Sequence, residues 1–259
     1  MLCILHRLYA SLKCFLIAAR SPLVDMGNKA SQKLQTTSGG LLDLTATPIA
    51  NDYPNCYIKV LDDIFTPEEC ASFIALAESD DQWQTAMVST ATGDRVALEY
   101  RNSNRILRFD HKTAEQIHQR LLPHIQELIE IKPGGDWEGV VGVPGRVSGT
   151  WKLLGVNERL SFLRYGPGHY FKPHCDGRLQ LPDGRKSRVT LQIYLNDEGL
   201  LGGATRILGS GRRYLDIEPK VGRVLIFQQR SVYHSGEEVV RGTKFALRSD
   251  FMFEQVLDQ

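Results

Sequence analysis

The chain has 259 residues, 42% hydrophobic and 24% charged, with 31 Lys and Arg against 30 Asp and Glu. These are ordinary globular values, and the length suffices for a substantial core in one large domain or two small ones. The net charge of +1 excludes a global field that would draw the chain to nucleic acid or an anionic membrane, leaving only a local basic patch open.

The first 25 residues, MLCILHRLYASLKCFLIAARSPLVD, are apolar, carry Arg7, Lys13 and Arg20, and have no acid before Asp25. On a helix His6, Lys13 and Arg20 share one side, which suits a mitochondrial-type presequence. Lys13 interrupts the apolar stretch too early for a membrane span of about 20 residues. No transmembrane span is expected, a short signal anchor being the alternative. The stretch MGNKAS, 26–31, fits a myristoylation pattern if synthesis begins at Met26 and means nothing as an internal segment. Residues 27–50, rich in Ser, Thr, Gly, Gln and Lys, predict a disordered tail. The expected organisation is a targeting-like and disordered segment over 1–50 and one folded domain over 51–259. The expected location is intracellular, cytoplasmic or, with a working presequence, mitochondrial.

Order is expected from CYIKVLDDIF, 56–65, a strand-like run. A helix then starts at TPEE: Thr66 caps, Pro67 suits the first helical position and Glu69 completes a capping box. Cys70, Phe73, Ile74 and Ala77 recur at helical spacing and predict a buried face. A second helix is predicted from TAEQ, with Thr113 as cap and Ile117, Leu121, Ile125 and Leu128 as the buried stripe. Pro123 should kink or split it. His118 and His124 lie on or beside this helix and read as solvated or satisfied histidines. The cysteines, at 3, 14, 56, 70 and 175, are odd in number and lack a CxxC spacing. They predict neither a disulfide framework nor a zinc site.

From residue 137 short apolar or alternating runs are separated by Gly, Pro, Asn and Asp: RLSFLRY, RVTLQIYLND, RYLDIEP, GRVLIFQQ and KFALRSDFMF. Such spacing predicts a sandwich or barrel. The fold class is therefore α+β: a double-stranded β-helix (jelly-roll) core, about 157–254, under an N-terminal helical layer.

Within that core FKPHCDGRL, 171–179, follows the turn-rich YGPGHY. His174 and Asp176, two apart on an extended strand, face the same way, as two ligands of one ion do. His234, 58 residues after Asp176, follows the strand GRVLIFQQ and precedes the turn signal SGE. Two histidines and one carboxylate make the facial set of non-haem Fe(II). A jelly roll brings an early His-x-Asp beside a late histidine. The alternative is a solvated loop histidine at 174 and a turn carboxylate at 176. Cys175 points away from its neighbours and reads as a small core residue.

A 2-oxoglutarate cosubstrate at such a site needs a cation for its distal carboxylate. On KFALRSDFMF, Phe245, Leu247, Phe251 and Phe253 form one face and Lys244, Ala246, Arg248 and Asp250 the other. Lys244 offers a point charge and Arg248 a bidentate fork; either is otherwise a surface charge or a partner of Asp250. Tyr165 can donate its hydroxyl to the same carboxylate or be a half-buried strand tyrosine. Arg101 and Arg105 in EYRNSNRI line the mouth or form a charged loop. The segment QLPDGRKSR, 180–188, reads as a hairpin loop able to act as a lid, with Arg185, Lys186 and Arg188 solvated.

NERLSFLRYGPGHYFKPHCDG, TLQIYLND, GGATRIL and GRVLIFQQRSVYHSGEEVVRGTKFALRSDFMF, with VLDDIFTPEECASFI upstream, resemble the Fe(II)/2-oxoglutarate dioxygenases of the prolyl 4-hydroxylase type. The resemblance covers roughly residues 57–254. It implies that His174, Asp176 and His234 bind Fe(II), that Lys244 takes the usual 2-oxoglutarate position, that O2 is a co-reactant, and that ascorbate supports turnover. It implies a hydroxylase releasing succinate and CO2 from an unidentified small-molecule or protein substrate. Asp176 argues against halogenation, because Fe(II) halogenases replace the carboxylate with a small residue. The alternative of another class is a jelly-roll binding or sensor module without turnover. A nucleic-acid substrate finds no support in the near-neutral charge.

Overall fold

The computed structural model describes residues 40–79, 82–90 and 93–257. The expected presequence, the MGNKAS stretch and the tail up to residue 39 lie outside the described residues. The strands that build the site are β1 (Ile58–Leu61), β2 (Arg101–Asn102), β3 (Asn104–Phe109), β4 (Thr150–Val156), β5 (Arg159–Tyr165) and β6 (Tyr170–His174). They continue with β7 (Lys186–Tyr194), β8 (Thr205–Leu208), β9 (Tyr214–Ile217), β10 (Val224–Gln228), β11 (His234–Gly236) and β12 (Lys244–Val256). The larger sheet has nine strands in the order β1-β10-β7-β12-β5-β3 and on to Gln84–Thr85, with β4 beside β12 and Glu130–Ile131 beside β4. The smaller has five, in the order β9-β8-β11-β6-β2. All these pairings are antiparallel. The turn spacing predicted a sandwich or barrel, and these two sheets form the jelly-roll core that the metal-site reading expected.

Strict alternation decides which side of each strand does what. Val189, Leu191 and Ile193 of β7 and Leu247, Phe251 and Phe253 of β12 pack on the outer face of the larger sheet, in one buried cluster with the helices. A side chain as fully buried as Phe251 contributes about 1.5–3 kcal/mol. On the opposite face Val60, Leu225, Phe227 and Tyr194 meet Ile207, Leu215 and Ile217 of the smaller sheet. The polar residues of the site share that inter-sheet space.

Helix α1 (Pro67–Glu78) carries the predicted capping box: the Thr66 side chain accepts from the Glu69 backbone N–H, and the Glu69 carboxylate accepts from that of Thr66. Helix α2 (His111–Leu121) starts earlier than TAEQ suggested. Its cap is Asp110, whose carboxylate accepts from the Thr113 backbone at 2.9 Å and the Thr113 hydroxyl at 3.0 Å. A carboxylate at a helix N-terminus also meets the positive end of the helix dipole. Pro123 splits the predicted stripe. The α-helix ends at Leu121, and two 3-10 turns bring Ile125 and Leu128 into the same cluster. Helices α1 and α2, 12 and 11 residues long, are separated in sequence by strands that join the sheets, so the N-terminal half interleaves α and β along the chain.

Packing also begins before residue 51. Leu42 and Ile49 are buried beside Tyr53, Ile58 and Val60, and the Leu42 N–H donates to the Ile58 carbonyl at 2.9 Å. Residues 40–50 cover the β1 edge. Their few apolar side chains sit among Thr and Asp, which hid them. Among the described residues no helix is long and apolar enough to cross a membrane.

Candidate metal centre

Strands β6 and β11 are neighbours, with His174 directly opposite His234. The two imidazole centroids are 4.3 Å apart. Register slips just before this pair: Phe171 faces Gly236, so three steps along β6 match two along β11. That bulge puts Phe171 and His174 on one side, their rings stacked at 3.7 Å. Asp176 lies past the end of β6, so strand alternation does not place it. Two side chains do. The Thr190 hydroxyl of β7 donates to Asp176 Oδ2 at 2.6 Å, and Arg248 Nη2 of β12 stands 3.3 Å from the same oxygen. His174 Nε2 is 3.8 Å from Asp176 Oδ1 and His234 Nε2 is 4.0 Å from Oδ2. One ligand atom from each of the three lies within 4.8 Å of the others. These gaps are too long for hydrogen bonds and have room for a cation.

Backbone carbonyls set the tautomers. His174 Nδ1 lies 2.8 Å from the Lys172 carbonyl and His234 Nδ1 3.3 Å from that of Val232. A carbonyl only accepts, so each Nδ1 carries the proton and each Nε2 offers its lone pair. Burial pulls both imidazoles below their ordinary pKa, His174 to about 3 with His234 adding to the effect. Burial alone would raise the Asp176 carboxyl. Arg248, the two histidines and the Thr190 hydroxyl outweigh it and hold the group below the usual carboxylate range. The set is two neutral imidazoles and an ionised carboxylate, already in the protonation state a metal requires. That donor chemistry fits non-haem iron.

Arg248 is engaged differently from its expected cosubstrate role. It lies 3.1 Å from Asp250 as well as beside Asp176, and Asp250 accepts from Gln229 at 2.8 Å. Burial would lower its pKa, but the two carboxylates hold the charge firmly in place. Lys244 stands on the same face of β12, 4% exposed. Its Nζ donates to the Gly203 carbonyl at 2.6 Å and lies 5.4 and 5.3 Å from the ring centroids of Tyr165 and Tyr194. Burial pushes it down to about 8, with Glu218 opposing from a distance. Tyr165 is its direct cross-strand partner and is itself buried.

Thr190 and Gln229 went unassigned in the sequence, where Asp250 figured only as the alternative partner of Lys244 or Arg248. The signal for Thr190 was the alternation in RVTLQIYLND, where Thr190 and Gln192 oppose an apolar face. Arg101 lies over the Phe171 ring at 4.6 Å, and Arg105 is half-buried. In the 180–188 hairpin the charges are not simply solvated. Arg185 forks onto Glu158 with two 2.8 Å bonds, while Lys186 and Arg188 lie over Trp151. Cys70 is buried, Cys175 only partly so. His118 is buried on α2, whereas His124 is exposed.

Residues 160–249 match the model of the 2OG-Fe(II) oxygenase superfamily. That span contains the His174, Asp176 and His234 cluster and Lys244. That span is similar to 2OG-Fe(II) oxygenases, and the likeness extends to prolyl 4-hydroxylases. A curated relative, Prolyl 4-hydroxylase 1 of Arabidopsis thaliana, is 26% identical over 212 residues, 73% of this chain and 66% of the relative. The match thus spans just under two thirds of the relative's length. A Pseudomonas putida prolyl-4-hydroxylase superposes with a TM-score of 0.53 at 17% identity, over 81% of this chain and 95% of that one. A Trichoplax adhaerens prolyl hydroxylase, solved with a hypoxia inducible factor peptide fragment, gives 0.53 at 16% identity, over 75% and 82%. At those identities the two structures speak for the fold. Similarity to this superfamily implies Fe(II) and 2-oxoglutarate, and the cluster at 174, 176 and 234 is a donor set for the first.

Proposed function

We propose that the protein hydroxylates a C–H bond of a small-molecule or protein substrate, with Fe(II) on His174, Asp176 and His234 and 2-oxoglutarate and O2 as co-reactants, releasing succinate and CO2. The observation that carries this is the pre-formed donor set, two Nε2 lone pairs and one carboxylate within 4.8 Å. Iron with 2-oxoglutarate supplies the oxygen activation and C–H oxidation; the protein supplies position, charge and dryness. The carbonyls of Lys172 and Val232 keep both Nε2 atoms turned to the ion. Thr190 and Arg248 hold Asp176 Oδ2, leaving Oδ1 free of protein hydrogen bonds. Lys244 receives the distal carboxylate of 2-oxoglutarate, with the Tyr165 hydroxyl as a second donor. Phe171 against His174 and Phe227 against His234 exclude water from the ligand side.

The test is succinate release by anaerobically purified protein given Fe(II), 2-oxoglutarate, ascorbate and air without added substrate. Slow release is expected, lost in His174→Ala and recovered in Lys244→Ala only at higher 2-oxoglutarate. No succinate, together with weak 2-oxoglutarate binding under argon, rejects the hydroxylase in favour of a non-catalytic jelly-roll module.

A further inference from the structure

The chain passes from the smaller sheet to the larger at Ser103, between β2 and β3. Arg101 and Arg105 flank this crossover. Arg101 pairs in register with Phe171, and its guanidinium lies 4.6 Å over the Phe171 ring, which is itself stacked on His174. Arg105 pairs with Leu163, which pairs with Ala246 on the face that also carries Lys244 and Arg248. Alternation therefore turns Arg105 into the inter-sheet space, and two guanidiniums close the same side of the metal centre.

Among the described residues neither forms an ion pair with a carboxylate. Arg101 is 8% exposed, and its donors reach the Ser103 hydroxyl at 3.1 Å and the Met87 carbonyl at 3.4 Å. Arg105 makes no hydrogen bond or ion pair among the described residues, though it is half-buried. Burial and the charges of Arg101, Arg159 and Arg248 push Arg105 down to about 10, with Asp94 the opposing anion. It therefore stays charged at neutral pH. By contrast Arg185 is forked onto Glu158, and Arg248 Nη2 lies beside both Asp176 and Asp250. Partly desolvated cations without a counter-ion are unfavourable, and an entering oxyanion relieves that.

We propose that the substrate carries an oxyanion, a carboxylate or a phosphate, received by Arg105 and Arg101 at the mouth of the metal centre. The inference rests on the oxygenase reading above and names the class of its substrate. A cosubstrate role for this pair is the competing use, so the test keeps 2-oxoglutarate bound throughout.

Protein loaded with Zn(II) in place of Fe(II) and saturated with 2-oxoglutarate would be labelled with 15N-arginine. It would be titrated separately with inorganic phosphate and with acetate, ionic strength being held with chloride. The Arg105 Nε–H resonance, assigned by its absence in Arg105→Gln, should shift saturably with one anion and not with chloride. The tighter of the two tells a phosphate substrate from a carboxylate. Arg105→Lys, which keeps the charge and loses the fork, should weaken binding by about tenfold. No saturable shift in wild type with either anion overturns the inference. So does displacement of 2-oxoglutarate by the anion, or about a tenfold loss of 2-oxoglutarate affinity in Arg105→Gln, the size of a lost charge-assisted bond. The loading step separates the two readings. Protein that takes up no 2-oxoglutarate yet shows the shift keeps the anion site and rejects the oxygenase reading. Normal 2-oxoglutarate binding without a shift does the reverse.

Discussion

The two ends of the inter-sheet space hold their charges in opposite ways. The groups that hold Asp176 are paired within the protein: Arg248 and Thr190 on one carboxylate, Asp250 and Gln229 beyond it. Around Lys244 the buried ammonium has one carbonyl, Gly203, and two aromatic rings. The first end is assembled before any ligand arrives. The second is incomplete until one does. Satisfied buried charge marks a scaffold for the metal, and under-satisfied buried charge marks the place of an anion.

The contrast breaks most visibly at the ligands. His174→Ala should abolish Fe(II)-dependent succinate formation, because the remaining pair leaves one metal position open; measurable turnover would move the metal elsewhere. Lys244→Met should act with two signs. Removing a poorly paired buried cation should stabilise the cosubstrate-free protein by about 1 kcal/mol. Losing a charge-assisted contact should weaken 2-oxoglutarate binding by about a hundredfold. Thermal unfolding with and without 2-oxoglutarate reads both, and a destabilised cosubstrate-free variant would contradict the contrast.

Arg248→Lys tests the other end. It should lower metal affinity by about 10- to 100-fold, as for groups that orient ligands, with little change in the 2-oxoglutarate KM at saturating metal. The reverse pattern would make Arg248 the anchor and Lys244 structural.

The pH dependence is smaller and its sign is fixed. Lys244 titrates at about 8 in the fold against 10.5 in the unfolded chain. Above pH 8 it loses its charge, and 2-oxoglutarate affinity should fall by about tenfold per unit. Across the same window, 8 to 10.5, the unfolded state binds more protons. The cosubstrate-free protein should then gain stability as pH rises. Titration calorimetry and denaturant unfolding at matched pH would reveal the opposed slopes. Smallest, Thr66→Ala should cost about 1 kcal/mol through the lost cap and leave 2-oxoglutarate binding untouched.

Much of this was legible in one dimension because it rests on local chemistry or strand parity. The Thr66 to Glu69 box and the division of β12 into an apolar and a polar face follow from spacing alone. His174, Asp176 and His234 stood out because two histidines and one carboxylate are the donor set non-haem Fe(II) requires. What stayed hidden depends on pairs far apart in the chain. Thr190 and Arg248 converge on Asp176 only when β7, β12 and the loop after β6 meet, so the sequence offered Arg248 a cosubstrate or Asp250 but not Asp176. Asp110 was passed over because Thr113 offered the same capping chemistry three residues later. Leu42 and Ile49 gain their burial from β1 and the smaller sheet, which nothing in their own segment announces.

The slip of register between Phe171 and His174 makes the centre a matter of counting as well as of residue type. One unpaired step in β6 turns the imidazole to the side where Phe171 lies and His234 waits. Regular pairing through Lys172 and Pro173, without the slip, would leave two histidines, the aspartate and the HCD triplet in the text of the protein. It would rotate His174 to the opposite side of its strand. A homologue with an intact motif but a β6 paired without that slip should therefore be read as an altered site, however well its letters align.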